Sequence, residues 1–452
     1  MKSNYPIQTF WSRQICQIKE EGMPSVMRKV KKVILRPDQV LIDMICFTLA
    51  VIVVLFIRLI RPFVIVRIGK IDIGRLGHVN DGDWYLSEKV DGKHSGRYFD
   101  LFYCQKSTSH VNKQWLKMWK RSLPLIYGTA IWKKVHRLIE TLPGFAKHII
   151  PSGHCNLSYE EQMTYLDGND LEIRSIRNDR TISVIKNKKP NIYFTNKELV
   201  RGENGLRELG IGIDKSFVCF HSRDSAFLNE VCPQRDWSYH DHRDSNINNY
   251  NLALNELVKR GHYGIRMGAI VNKKISFHNH NIIDYATNGS RTNFMDIYLG
   301  SKCKFFICGN SGISTIPEVF KKPVVYINFC KPEWAPGWVS NGLVIFKKLY
   351  IKKEKRLLSF SEIMRIDMDR EEANKIIADL GLEVLENTPE EIKAVTIEMD
   401  DRLNASWQTT EEDEELQQRF WALFGPDKLK SPGLRIGAEY LRENKDLLVR
   451  IP

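Results

Sequence analysis

A chain of 452 residues with 43% hydrophobic and 27% charged residues is too long for one ordinary core and too apolar to be disordered, so two domains with appendages are expected. Its net charge of +13 suits nucleic acid, anionic lipid or phosphorylated substrates and by itself selects none of them. The nine cysteines are scattered and include no C-x-x-C pair, which argues against structural zinc and a disulfide framework and for a reducing compartment.

The first 60 residues differ from the rest. "RKVKKVILR" (28–36) places five basic residues in nine, and "VLIDMICFTLAVIVVLFIRLI" (40–60) is an almost continuous apolar run. Asp43 and Arg58 limit its uninterrupted part to a half-span or an in-plane helix. No small-residue cleavage site follows. Residues 1–60 are therefore expected to associate with a membrane from the cytoplasmic side, held partly by charge. A buried core helix is the alternative.

Residues 61–205 read as a first Rossmann-like domain. A strand at 63–67 leads into a glycine-spaced exit containing Gly74, Gly77 and His78. Glycines there permit close backbone approach on the acceptor side, and His78 is a candidate base near neutral pH, or an ordinary turn histidine. Asp81-Gly-Asp83 lies in an Asn/Gly/Asp-rich stretch that reads as a turn rather than a metal-nucleotide site. A second strand is expected at 97–104, helical spacing between 112 and 150, and a polar crossover from 151 to 205.

Residues 206–350 alternate strands with helices, the pattern of a parallel sheet covered on both faces. Strands are expected at 216–224, 263–268, 281–286, 304–309 and 323–329, with a helix at 249–261 among the connections. The polar turns "HSRDS", "RMG" and "GNSGIS" all follow strands. In such sheets ligands bind at the carboxyl edge. Residues 351–452 read as a mostly helical extension, with Thr388-Pro389-Glu390-Glu391 giving a cap, a first-turn proline and a capping-box acid.

Gly309, Asn310, Ser311, Gly312 and Ser314 can cradle a diphosphate with backbone N–H groups and hydroxyls, or form an ordinary serine-capped turn. No P-loop lysine accompanies them. Glu318 either reaches ribose hydroxyls or completes a capping box with Thr315; local sequence favours the cap. His221 and Arg223 alternate onto one face at a strand end, where a guanidinium suits a phosphate. Arg266 repeats that logic on the next strand, with Asp284 as the competing partner. In the long stretch 236–250, His240, Asp241, His242 and Asp244 resemble a metal cluster in composition but lack ligand spacing. Asp224 and His240 are further candidates for the base, and Arg243 for the acceptor side.

Together the words "RIGKIDIGRLGH", "HSRDS", "DWSYHDHRDSNINNY", "GIRMG", "NFMDIYLGSKCKFFICGNSGISTIPEVF", "ENTPEEI" and "RIGAEYLREN" resemble a family of bacterial surface-glycan glycosyltransferases. More distantly, "HSRD" followed by "DIYLGSKCKFFICGNS" is similar to the H-x-R and D-x-x-L-x-S-x-C…N-S pattern of the fucosyltransferases with a GT-B fold. The resemblance implies two Rossmann-like domains facing a cleft, a nucleotide-sugar donor on the second, and no cofactor or metal. It also implies that Arg223 and Ser311 hold the donor diphosphate, with His221 in support. The second arginine of the fucosyltransferase pattern is Asp224 here, so the sugar stays open. The partners implied are the donor, a glycan or lipid-linked acceptor, and the inner face of the cytoplasmic membrane, without nucleic acid. Two other expectations stand beside transfer: a nucleotide-sugar epimerase on the same scaffold, and a non-catalytic membrane scaffold for glycan assembly.

Overall fold

The computed structural model describes residues 37–71, 76–78, 80–104, 112–150, 182–231, 233–234, 236–276, 279–366, 368, 372–424 and 433–449. The protein is mixed α/β with parallel sheets. It divides into two compact units, Met1–Val111 with Trp119–Ser183, and Asn112–Met118 with Val184–Pro452. Residues 196–205, expected within the polar crossover that closes the first domain, lie instead in the helix Asn196–Glu208 of the second unit, which also holds the tail beyond 351.

In the first unit, strands Ile65–Ile71 (β1) and Tyr98–Cys104 (β2) pair in parallel, and Leu125–Ile126 (β3) extends the sheet. The register sets Arg67 opposite Asp100. Charges this deep need partners: Arg67 Nε and Nη2 each donate to Asp100 at 2.6 Å, and the Tyr85 hydroxyl donates to it at 2.6 Å. The Asn/Gly/Asp stretch at 80–83 is not the expected turn but opens the helix Asn80–Val90, with Asp83 buried. A Cβ at Gly82 would lie 3.0 Å from the Trp119 ring, so this glycine serves a close packing contact. Pro37–Leu59 is one helix, and by length and composition its stretch Asp38–Leu59 is apolar enough to cross a membrane. Its buried Ala50, Val54 and Ile57 cluster with Val135 and Ile139 of the helix Thr129–Glu140.

The second unit is built on a wholly parallel seven-stranded sheet. Its strands Phe217–His221 (β4), Tyr263–Arg266 (β5), Ile282–Ile283 (β6), Phe306–Cys308 (β7), Val324–Phe329 (β8) and Gly342–Phe346 (β9) are almost entirely buried. Continuous apolar runs such as "VVYINF" and "GLVIF" fit strands covered on both faces. Lys348–Ile351 (β10), Arg356–Leu357 (β11) and Leu382–Leu385 (β12) form a separate antiparallel sheet. Leu434–Ile436 (β13) then joins the main sheet, whose order is β13-β9-β8-β7-β4-β5-β6. The extension is therefore not simply helical. Its strands are too short to show alternation, and β13 is fixed by its pairing with β9.

Helix Asn196–Glu208 lies against helix Asn293–Lys302 through two glycines. A Cβ at Gly202 would sit 2.0 Å from the Tyr298 ring, and one at Gly205 2.4 Å from Met295 Sδ. Overpacking a closed contact of this kind costs about 2–3 kcal/mol. Gly202→Ala is expected to lower urea-unfolding stability by that amount, while Lys197→Ala on the exposed side changes it by less than about 0.5 kcal/mol.

Candidate functional site at the strand-order reversal

The chain runs from β4 outward through β5 and β6, then returns to β7 on the other side of β4 and continues outward through β8 and β9. Connections leaving the two strands at such a reversal diverge and open a crevice at their carboxyl ends. His221 ends β4, Cys308 ends β7, and the two are register partners. Ser222-Arg223 and Gly309-Asn310 follow them directly. Two of the three polar turns thus meet at the reversal itself.

The loop from 236 to 250 is laced onto these exits. Tyr250 donates its hydroxyl to the His221 carbonyl at 2.9 Å, and Ser245 N–H donates to the Arg223 carbonyl at 3.1 Å. Arg223 is buried, and its Nη1 donates to His240 O at 3.2 Å and pairs with Asp244. Its Nε and Nη2 have no partner among the described residues. Arg243 Nε and Nη2 donate to Asn310 O at 3.0 and 2.6 Å. Expected on the acceptor side, Arg243 instead grips the Gly309–Gly312 turn within the second unit. Ser311 makes no side-chain cap for the short helical turn that follows, and Ser314 N–H donates to Ser311 O at 3.2 Å. Gly309 is buried, and a Cβ there would lie 3.4 Å from Ile327 O.

Other candidates have defined structural duties. Asp224 accepts N–H donors from Ala226 at 3.0 Å and Asn272 at 2.9 Å, one on each oxygen. His240 stacks on Trp237 at 6.1 Å. Arg266 Nη1 donates to Lys273 O at 2.7 Å and to Asp284 at 3.2 Å, the competing partner foreseen for it. Glu318 forms no capping box with Thr315. Its oxygens accept from Tyr326 Oη at 2.8 Å and Trp338 Nε1 at 2.9 Å, and these partners hold it away from the cap position. Gly77 and the backbone of His78 lie in the turn Leu76–His78 of the first unit. Gly74 and the His78 side chain lie outside the described residues. Sequence reasoning passed over Lys347, which follows β9 and donates to Asp244 O at 2.6 Å, and over Asp244 as the arginine's partner. A lysine after an apolar run carries no signal of where its amine goes.

Burial dominates the electrostatics. It pushes His221 below the usual imidazole range, although Nδ1–H donates to Met267 O at 2.9 Å and Asp224 opposes the shift. The Arg223 guanidinium and the Lys347 amine are likewise pushed down by burial. Arg223 and Lys347 thus both engage Asp244, while Arg243 engages Asn310. A cavity of about 480 Å³ lies elsewhere in the unit, lined by Lys197, Arg201, Tyr285, Thr292 and Phe294 among others. None of the residues at the reversal lines it.

No protein-family model matches the chain, and no curated protein matches it. Among solved structures, a glycosyl transferase family 9 protein from Veillonella parvula is similar at 10% identity and a TM-score of 0.37, covering 70% of this chain and 97% of that one. The ADP-heptose lipopolysaccharide heptosyltransferase II of E. coli is similar at 13% identity and a TM-score of 0.36, covering 70% and 98%. The UDP-GlcNAc 2-epimerase of Neisseria meningitidis, bound to UDP-GlcNAc, is similar at 11% identity and a TM-score of 0.32, covering 75% and 100%.

His242 ties the loop down. Its N–H and Nδ1 lie 3.0 and 3.1 Å from Asn374 Oδ1, and burial, with Arg243 adding to it, pushes the imidazole down to about 4. An unfolded histidine titrates near 6.5, so as pH falls from there the unfolded state takes up a proton that the folded state refuses. This contribution to stability is present above about pH 6.5 and lost on the way down to about pH 4. The stability difference between wild type and His242→Gln is expected to shrink by roughly 1–3 kcal/mol between pH 7.5 and 4.5, read by urea unfolding at each pH.

Proposed function

We propose that the protein is a glycosyltransferase that moves a hexosyl or deoxyhexosyl group from a nucleotide-sugar donor to a glycan or lipid-linked glycan acceptor in bacterial surface polysaccharide synthesis. The observation that carries this reading is the pairing of His221 with Cys308 at the strand-order reversal, which brings Arg223 and the Gly309–Gly312 turn to one crevice. The donor diphosphate sits there, between the Nε and Nη2 donors of Arg223 and the backbone N–H groups of the turn, with the Ser311 hydroxyl beside it. As the bond from anomeric carbon to phosphate oxygen breaks, negative charge grows on the diphosphate, and fixed donors in a buried site stabilise it most when it is greatest. Arg243 keeps the Asn310 carbonyl bonded to itself and away from that charge. No metal is needed in this scheme.

The acceptor hydroxyl loses its proton to a base as it attacks. Asp224 has both oxygens committed to main-chain N–H groups, which leaves His240 and His78 as the groups to test. The membrane-associating segment suits an acceptor carried by a lipid at the cytoplasmic face.

The test is thermal unfolding of the full chain with UDP, GDP, ADP, dTDP and CMP and their sugar conjugates. A ligand bound only by the folded state raises the midpoint. One nucleotide is expected to do so, and Arg223→Ala to weaken it by about 1.5–3 kcal/mol, the range for a charge-assisted hydrogen bond. No stabilisation by any of them up to millimolar concentration would remove the donor site and favour the scaffold.

A further inference from the structure

Of the three charged residues on the N-terminal helix Pro37–Leu59, two make contacts with the body of the first unit, and the third, Asp38, sits exposed in the first turn. Asp43 and Arg58 are the ionisable residues that interrupt its apolar run from 40 to 60. Asp43 pairs with Lys134 Nζ at 2.8 Å, and Arg58 Nη1 donates to Pro143 O at 2.9 Å, both on the body of the first unit. Between them the half-buried Cys46 and the buried Ala50, Val54 and Ile57 continue the same stripe at three- and four-residue spacing. The opposite side carries Leu41, Ile52, Leu55, Phe56 and Leu59, exposed between 57% and 75%, and its one charge is Asp38 at the N-terminal end of the helix, where a headgroup-level residue belongs.

The contacts from Asp43 to Arg58 cover fifteen steps of helix, about 22 Å of its length. Only 37–42 and Leu59 lie beyond them, about 10 Å in all, against a hydrocarbon core of about 30 Å. A free helix of this composition would span the bilayer. This one would have to draw the Thr129–Glu140 helix into the lipid with it, including Lys133 and Arg137, which are exposed. An in-plane helix normally needs a polar face of its own; here the protein body takes that place.

Charge complementarity identifies what covers the apolar side. The run at 28–36 supplies five basic residues just before the helix, and Arg61 follows it. A basic neighbourhood around an apolar face suits a bilayer containing anionic lipid. We infer that Pro37–Leu59 is a monotopic anchor lying in the plane of an anionic membrane surface, with its Leu41-to-Leu59 face in the acyl boundary and Asp43 and Arg58 tied to the protein through Lys134 and the Pro143 carbonyl.

The experiment uses the full chain carrying a protease-cleavable tag before Met1. It is mixed with sealed vesicles of phosphatidylcholine alone or with phosphatidylglycerol, and binding is read by co-sedimentation. Binding is expected to be stronger with phosphatidylglycerol and to weaken with salt. Ile52→Glu/Phe56→Glu, both on the exposed side, should keep the wild-type unfolding midpoint without lipid and lose about tenfold or more in partitioning. Single Leu55→Gln gives the same direction should the double variant fail to fold. Protease added outside should remove the tag completely, because both ends of an in-plane helix stay on one side. A tag protected until detergent is added would show a span and overturn the inference. So would undiminished binding by the variants, or wild type that ignores vesicles and sediments as a dimer the variants break.

Discussion

The architecture of the second unit depends on one constraint, the pairing of β4 with β7 across a gap in chain order. β5 and β6 intervene in sequence yet lie on the far side of β4. That return places His221 opposite Cys308, and no local preference in either segment would do so. Everything proposed about an anion at this edge follows from two strand exits being forced together. Neither exit alone amounts to a site: the helix after Gly312–Ser314 is only Thr315–Val319.

The edge is stiffened from a distance. Asn328, near the end of β8, adopts a left-handed backbone with φ of 59°. Its N–H donates to Asn387 Oδ1 at 2.7 Å, while Asn387 N–H returns a bond to Asn328 Oδ1 at 2.8 Å. Asn387 Nδ2 also reaches Phe346 O at 2.8 Å, so one side chain joins β8, β9 and the start of helix Pro389–Leu403. The next residue, Thr388, completes a capping box with Glu391. An unpaired buried main-chain N–H would cost about 1–3 kcal/mol, so this reciprocal pairing of two backbone N–H groups constrains where the tail docks, although Asn328 Nδ2 itself is left without a partner among the described residues. The word "ENTPEEI" is thus scaffold, while "HSRDS" and "GNSGIS" follow the two strands that meet at the strand-order reversal.

Much of this was legible in the sequence where pattern and local chemistry agreed. The alternation of apolar strands and helices gave β4 to β8 nearly in place, and Thr388-Pro389 announced its helix. The rest was not local. β13 is three residues long and exists because β9 offers an edge. The stretch at 80–83 has turn composition, but Gly82 is there for the Trp119 ring. Arg266 stood open between a ligand and Asp284 until the fold brought Asp284 to it, and Glu318, favoured as a cap, is held instead by Tyr326 and Trp338. Arg223 itself proved half committed, paired through Nη1 alone. Sequence identifies which side chains need a partner; only the fold says whether a protein group already serves.

The most direct test of the central claim is amide hydrogen exchange on the full chain, with and without whichever nucleoside diphosphate stabilises it. A diphosphate held at the strand-order reversal should slow exchange at 309–314 and 222–225 above all other segments. Protection concentrated instead along Asn196–Glu208 and 285–295, around the separate cavity, would contradict the assignment and move the ligand to that side of the unit.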